Sequence, residues 1–294
     1  MSMLAPLRLA LASVTALGAL VAAVAAEARL HASRIGEGVL APFSVERCCG
    51  NGGEIVPAPG LESGAQALRL HWAQANYRGD RESRGVEVVG PRATQNEMWF
   101  GYRFLIPASF PDDKNVIIGQ LICWEKTAPT NKTLSLSLQG GRLNVSGFFA
   151  DREGARNPTR PGELVARGLL SPAVPRERWV DVVVHARLSS TGDGLLRVWF
   201  DGAPAEQPTF VASGIKLGVA HFAAPDQPRF GPYPKAGMYC WDAPNYSPGE
   251  TREFWLDALA FHDGAHPDGH RLVAPSPASR PSTPAASAVD QSEL

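Results

Sequence analysis

The sequence predicts an all-β domain of two packed antiparallel sheets, on three observations. Segments of alternating apolar and polar residues recur at short intervals, with Gly and Pro between them. Segments with helical period are scarce by comparison. Between an apolar N-terminal run and a Pro/Ser/Ala-rich C-terminal stretch lie about 230 residues with no internal repeat and no linker, which suits one domain. Sandwich and barrel both remain open at this level.

Taken in order, the chain begins as an export signal. Arg8 is the only charged side chain before Glu27, and the apolar run Leu9 to Ala26 ends in the small residues Ala23-Val-Ala25 and Ala26. We read residues 1–26 as a cleaved signal peptide, against the competing reading of an uncleaved anchor. The mature protein is expected to be secreted or periplasmic and free of the membrane. Gln66 to Ala73 alternates, with Leu68, Leu70 and Trp72 on one face. Met98 to Ile106 is a strand ended by Pro107. Val116 to Trp124 is nearly all apolar, as a strand covered on both faces would be. Thr133 to Gln139 puts Leu134, Leu136 and Leu138 inward, and Gly140-Gly141 turns it into Arg142 to Phe149 as a hairpin. Trp179 to Leu188 lines up Val180, Val182, Val184, Ala186 and Leu188 on one side, with His185 on the other. A turn at Ser190 to Gly194 leads into Leu195 to Phe200, and Arg252 to Phe261 closes the domain 27–265. Residues 266–294, dominated after Val273 by Pro, Ser and Ala, read as a disordered tail.

The formal net charge of −1, with both signs interspersed, argues against nucleic acid as a partner. It leaves room for an acidic polymer held by a local basic cluster. Four cysteines in an exported chain permit disulfides. A bridge between adjacent Cys48 and Cys49 is the least favoured pairing. Cys48 and Cys49 are expected to pair separately with Cys123 and Cys240, or one pair forms and two thiols stay unbridged. Two adjacent cysteines lack the spacing of a zinc site, so no metal is assigned.

The stretch Tyr233 to Trp241 carries the clearest chemistry. On a strand, Tyr233, Lys235, Gly237, Tyr239 and Trp241 share one face. Two phenols, an ammonium and an indole suit a ring-shaped, anionic, hydroxyl-rich ligand, with Gly237 leaving room for approach to the backbone. The plainer alternative is a half-buried strand with a snorkelling lysine.

Residues 233–239 resemble the Tyr-x-Lys-x-Gly-x-Tyr-x-Gln strand of alginate-lyase-type polysaccharide lyases, with Trp241 at the glutamine. The chain from about Phe43 to about Asp263 is similar to the heparin-lyase-I and glucuronan-lyase group. That similarity runs through Cys48-Cys49, Glu97 to Pro107, Gln120, Trp179 to His185 and Val198 to Gly202. It implies a β-jelly roll of the concanavalin type and cleavage of a uronic-acid polymer by β-elimination. It implies no required cofactor, and we take the protein as a monomer. By the same resemblance Tyr239 stands at the catalytic tyrosine, Lys235 at its companion lysine and Gln120 at the glutamine of a Gln-x-His strand. The histidine position holds Ile122.

The family's Arg-x-Glu is matched loosely by Arg84 and Glu87, three apart, which a regular strand would place on opposite faces unless Gly85 bulges. Arg84, Glu87, Tyr233 and Trp241 are the expected substrate-binding residues. His185 is the backup base, His71 a weaker one, and His262, His266 and His270 are expected at the surface. Asp257 corresponds to an aspartate that some such domains use for structural calcium, but one carboxylate falls short of six to eight oxygens. Two other functions compete. A carbohydrate-binding protein without catalysis is suggested by Ile122, and a jelly-roll glycoside hydrolase would need a carboxylate pair that the sequence does not show.

Overall fold

A computed structural model describes residues 29–61, 64–111, 113–123, 131–150, 164–219 and 231–275. The expected signal peptide lies outside the described residues. No helix among them is long and apolar enough to cross a membrane.

Among the described residues there are fifteen strands: β1 (Leu30–Ala32), β2 (Ser44–Glu46), β3 (Gly52–Pro57), β4 (Gln66–Ala73), β5 (Gly85–Val89), β6 (Glu97–Leu105), β7 (Val116–Cys123), β8 (Asn131–Gln139), β9 (Arg142–Ala150), β10 (Leu164–Ser171), β11 (Val180–Arg187), β12 (Ser189–Phe200), β13 (Phe210–Val219), β14 (Tyr233–Tyr239) and β15 (Thr251–Asp263). A short helix, α1 (Gly269–Val273), follows. One antiparallel sheet runs β2-β5-β14-β7-β8-β9, with β10 on β9; the other runs β13-β12-β11-β6-β15-β4-β3, with β1 on β15. A two-residue parallel pairing, Gly218 with Phe149 and Val219 with Ala150, joins them at one edge. The fold is a β-jelly roll.

The alternation read from the sequence explains the sandwich. Leu68, Leu70 and Trp72 of β4, Tyr102 and Phe104 of β6, and Phe254 and Leu256 of β15 turn inward from one sheet. Val86, Val88, Leu134, Leu136, Ala236 and Met238 turn inward from the other, in a single continuous core. Gly237 takes φ 136°, and a Cβ there would lie 2.6 Å from the Val86 carbonyl and 2.8 Å from Leu70 of the opposite sheet. Its glycine is therefore required on the core side, which corrects the expectation that it makes room for a ligand. Strands β1, β2, β3, β10 and β13 were not legible; β10, for example, alternates only weakly in burial.

Two expectations fail here. Cys48 and Cys49 are bridged to each other, in a tight turn where the Asn51 N–H reaches the Cys48 carbonyl at 2.8 Å and Cys49 takes φ 67°. Cys123 and Cys240 are instead buried in the core, and burial pushes the Cys240 thiol up to about 12. The C-terminal segment also stays ordered past residue 265. Val273 is buried with Trp99, Val183 and Trp199 on the outer face of the β11-containing sheet, with Leu272 and Ala274 packed beside them. The close approach needs glycine on both sides: a Cβ at Gly101 would lie 1.9 Å from the Val273 carbonyl, and one at Gly269 would lie 2.2 Å from Trp99. Residues 276–294 lie outside the described residues.

Candidate active site

The outer face of the first sheet collects most of the expected site. Across the strands, Lys235 of β14 stands between Val89 of β5 and Gln120 of β7, and Gly237 stands beside Glu87. Tyr239 lies between Gly85 and Ile117, and Tyr233 stands opposite Ile122. Period-two geometry puts Tyr233, Lys235 and Tyr239 on this face because Ala236 and Met238 are claimed by the core.

At the centre is a buried charge cluster. The Gln120 amide donates to Glu87 Oε1 at 2.6 Å, and Lys235 Nζ lies 3.3 Å from Glu87 Oε2. Lys235 also pairs with Glu46, which reaches in from the edge strand β2. Lys235 and Glu87 are only 4% and 3% exposed. Burial alone would lower the lysine pKa, but the Glu87 and Glu46 carboxylates outweigh it and raise it, so Lys235 stays protonated. Its charge is already matched by two carboxylates, which corrects the picture of a lysine offered to the substrate.

Arg84 reaches the site by a different route than expected. Gly85 is extended and makes no bulge; Arg84 instead ends a 3-10 turn, Glu82–Arg84, ahead of β5, so strand alternation does not apply to it. Ser83 fixes this turn. Its N–H donates to Asp80 Oδ1 at 2.8 Å, and its carbonyl accepts the Trp72 indole N–H at 3.0 Å; the Ser83 hydroxyl first and its N–H second hold the Asp80 carboxyl below its usual range. The Arg84 carbonyl takes the Cys240 N–H at 2.8 Å, tying the turn to the end of β14. The guanidinium then donates to Tyr77 Oη at 3.2 Å and also interacts with the Tyr239 phenol. Burial disfavours its charge, yet the two phenol oxygens hold its pKa above the ordinary value. Its Nε is buried without a hydrogen-bond partner.

Tyr77 carries no motif in the sequence; only the fold brings it here. Tyr233 lies under the Arg92 guanidinium, 4.6 Å from ring centre, and burial pushes its phenol pKa up, against the pull of Lys235. Trp241 lies beyond the end of β14, where its N–H turns back to the Tyr239 carbonyl at 3.0 Å, and it is 39% exposed.

His185 is not part of this face. It lies on β11 in the opposite sheet, on the outward side, stacked on Trp99 at 3.7 Å with Nε2 2.7 Å from Glu97. Burial lowers its pKa against the pull of Glu97, and the whole core separates it from Tyr239. His71 also lies in that sheet, on β4. His262 is buried, contrary to its expected surface position. Asp257 faces the Arg103 guanidinium at 3.5 Å, which also holds Asp181 at 2.6 Å, so a cation already counters it. Among the described residues no group of three or more His, Cys, Asp or Glu could hold a metal ion.

Comparison with known proteins bears on the family and the fold. A family model described as polysaccharide lyase matches residues 62–260. The fold is similar to an endo-β-1,4-glucuronan lyase from the fungus Trichoderma reesei, with TM-score 0.56 and 18% identity over 80% of this chain and 94% of that one. It is also similar to a PL-14 alginate lyase from Aplysia kurodai, with TM-score 0.50 and 11% identity over 80% of this chain and 98% of that one. No curated protein matches the sequence.

Proposed function

Because the chain belongs to the polysaccharide lyase family, and so to the carbon–oxygen lyases acting on polysaccharides, we propose that it is exported and depolymerises a uronic-acid polymer by β-elimination at Tyr239. The observation that carries this is the guanidinium of Arg84 beside the Tyr239 phenol, with an unpartnered Nε. The uronate carboxylate is taken by Arg84, with Tyr77 steadying the guanidinium. This neutralises charge that grows as the C5 carbanion delocalises into the carboxylate.

Tyr239 is the base that removes the C5 proton. The electron pair of the C5–H bond forms the C4–C5 double bond, and the C4–O4 bond breaks. The same tyrosine returns the proton to O4, leaving a new hydroxyl on one fragment and an unsaturated uronate on the other. Gln120 contributes by holding Glu87, and through it Lys235, beneath the sugar.

One proton carrier serving both atoms needs H5 and O4 on the same ring face, as in D-glucuronate and D-mannuronate. Among the described residues no histidine lies on this face, and Ile122 is buried at the position where the resemblance would place one. The apolar N-terminal run supports action outside the cytoplasm. The test is a screen of purified protein against glucuronan, polymannuronate and polyguluronate, following the ultraviolet absorbance of the new double bond. We expect elimination on one of the first two. Binding with no elimination on any uronate polymer would replace this reading with that of a carbohydrate-binding protein.

A further inference from the structure

The charges on the site face are unevenly distributed. Arg84 stands at the Tyr239 end, hydrogen-bonded to a phenol. Farther along, one ammonium, Lys235, is shared by two carboxylates, Glu46 and Glu87. Glu46 and Glu87 are direct cross-strand neighbours, an arrangement that repels unless a cation lies between them. Glu87 is buried and accepts from both Gln120 and Lys235, but the Glu46 side chain is 55% exposed at the open edge of the sheet. The residue sits before the stretch matched by the family model, which begins at 62. Strands lie about 4.8 Å apart, so Glu46, two strands from Tyr239, meets a sugar next to the one being cleaved.

Resting on the β-elimination reading above, we propose that Glu46 is a specificity-determining residue that admits the unsubstituted hydroxyl edge of the neighbouring sugar and rejects a sulfate ester there. Hydroxyl groups can donate to the exposed carboxylate, whereas a sulfate carries a permanent negative charge and has no proton to offer. Its approach to Glu46 is repulsive; among the described residues the ammonium nearest Glu46, Lys235, is already engaged by two carboxylates, and the Arg92 guanidinium lies over the Tyr233 ring. Selectivity here comes from disfavouring the wrong polymer as well as from holding the right one.

Three proteins test this: wild type, Glu46→Gln and Glu46→Asp. The probes are β-1,4-glucuronan and the same polymer chemically sulfated, each followed by elimination rate and by direct calorimetric binding. Glutamine keeps a hydrogen-bonding group for Lys235 on the solvent-exposed edge, so folding should hold, and a melting curve checks it. We expect wild type to prefer the unsulfated polymer by about tenfold or more, the size of effect that one like-charge contact supplies at a partly screened distance. Glu46→Gln should reduce that preference about tenfold through KM and weaken its salt dependence. Glu46→Asp should retain the preference. An unchanged ratio in Glu46→Gln, in both rates and binding, overturns the proposal. If wild type eliminates neither polymer, the β-elimination reading fails on its own, and the calorimetric ratio still decides the role of Glu46.

Discussion

Replacing Lys235 by methionine tests whether the centre of the site is a structural ion pair or a free cation for substrate. Methionine roughly preserves the length and apolar stem of the side chain while removing the ammonium. Glu87 is 3% exposed and would keep only the Gln120 amide as a side-chain donor, leaving a buried carboxylate without its cation. Breaking a buried pair from one side costs about 3–5 kcal/mol. Glu46 adds little to that figure because its carboxylate is largely in water. For a domain of this size each kcal/mol moves the midpoint by roughly 2–4 °C, so the expected fall in Tm is roughly 6–20 °C.

The double variant Lys235→Met with Glu87→Gln removes both buried charges and should recover at least half of the loss. The raised lysine pKa fixes the pH window. Its stabilisation is fully present below the unfolded value of about 10.4 and is lost only as pH rises through the higher folded value. Thermal melts by circular dichroism at pH 7 are therefore a fair assay. A fall in Tm below about 2 °C, or a double variant no more stable than the single one, would refute the argument.

Arg84→Gln removes the cation beside Tyr239 and should lower kcat/KM by about 10²–10³ with little change in Tm, measured by initial rates and melting together. Arg84→Lys should restore only part of that, because a point charge cannot reach the phenol and the substrate carboxylate with the same planar fork. Tyr77→Phe takes away one hydrogen bond to the guanidinium and should cost about tenfold in rate, with binding of the polymer largely kept. His185 has a depressed folded pKa, so its contribution is present above the unfolded value of about 6.5 and is lost as pH falls. Wild type should lose Tm between about pH 7 and pH 5 more steeply than His185→Gln, while their pH–rate profiles on polymer should have the same shape.

Much of this site was legible because strand alternation is a strong local rule. Once Ala236 and Met238 are assigned inward, Lys235 and Tyr239 must face out, and the neighbouring strands supply Glu87 and Gln120. The rule fails at Arg84, where a 3-10 turn replaces the strand one residue before β5 begins. It also says nothing about which sheet a strand joins. His185 was correctly placed on the polar side of β11, but that side lies outside the opposite sheet, where the Trp99 ring covers the imidazole. Tyr77 has no sequence signal at all, since only the closing of the turn from Asp80 to Arg84 brings it to the guanidinium. The cysteines could not be paired from spacing, because burial of Cys123 and Cys240 depends on which strand faces they occupy.

The central claim, that one tyrosine carries the proton in both directions, is met most directly by Tyr239→Phe. The substitution keeps the ring packed over Gly85 and removes only the hydroxyl. On the uronate polymer that wild type cleaves, the rate of double-bond formation should fall by about two to four powers of ten, with Tm and polymer binding unchanged. A rate within a few-fold of wild type would contradict the account.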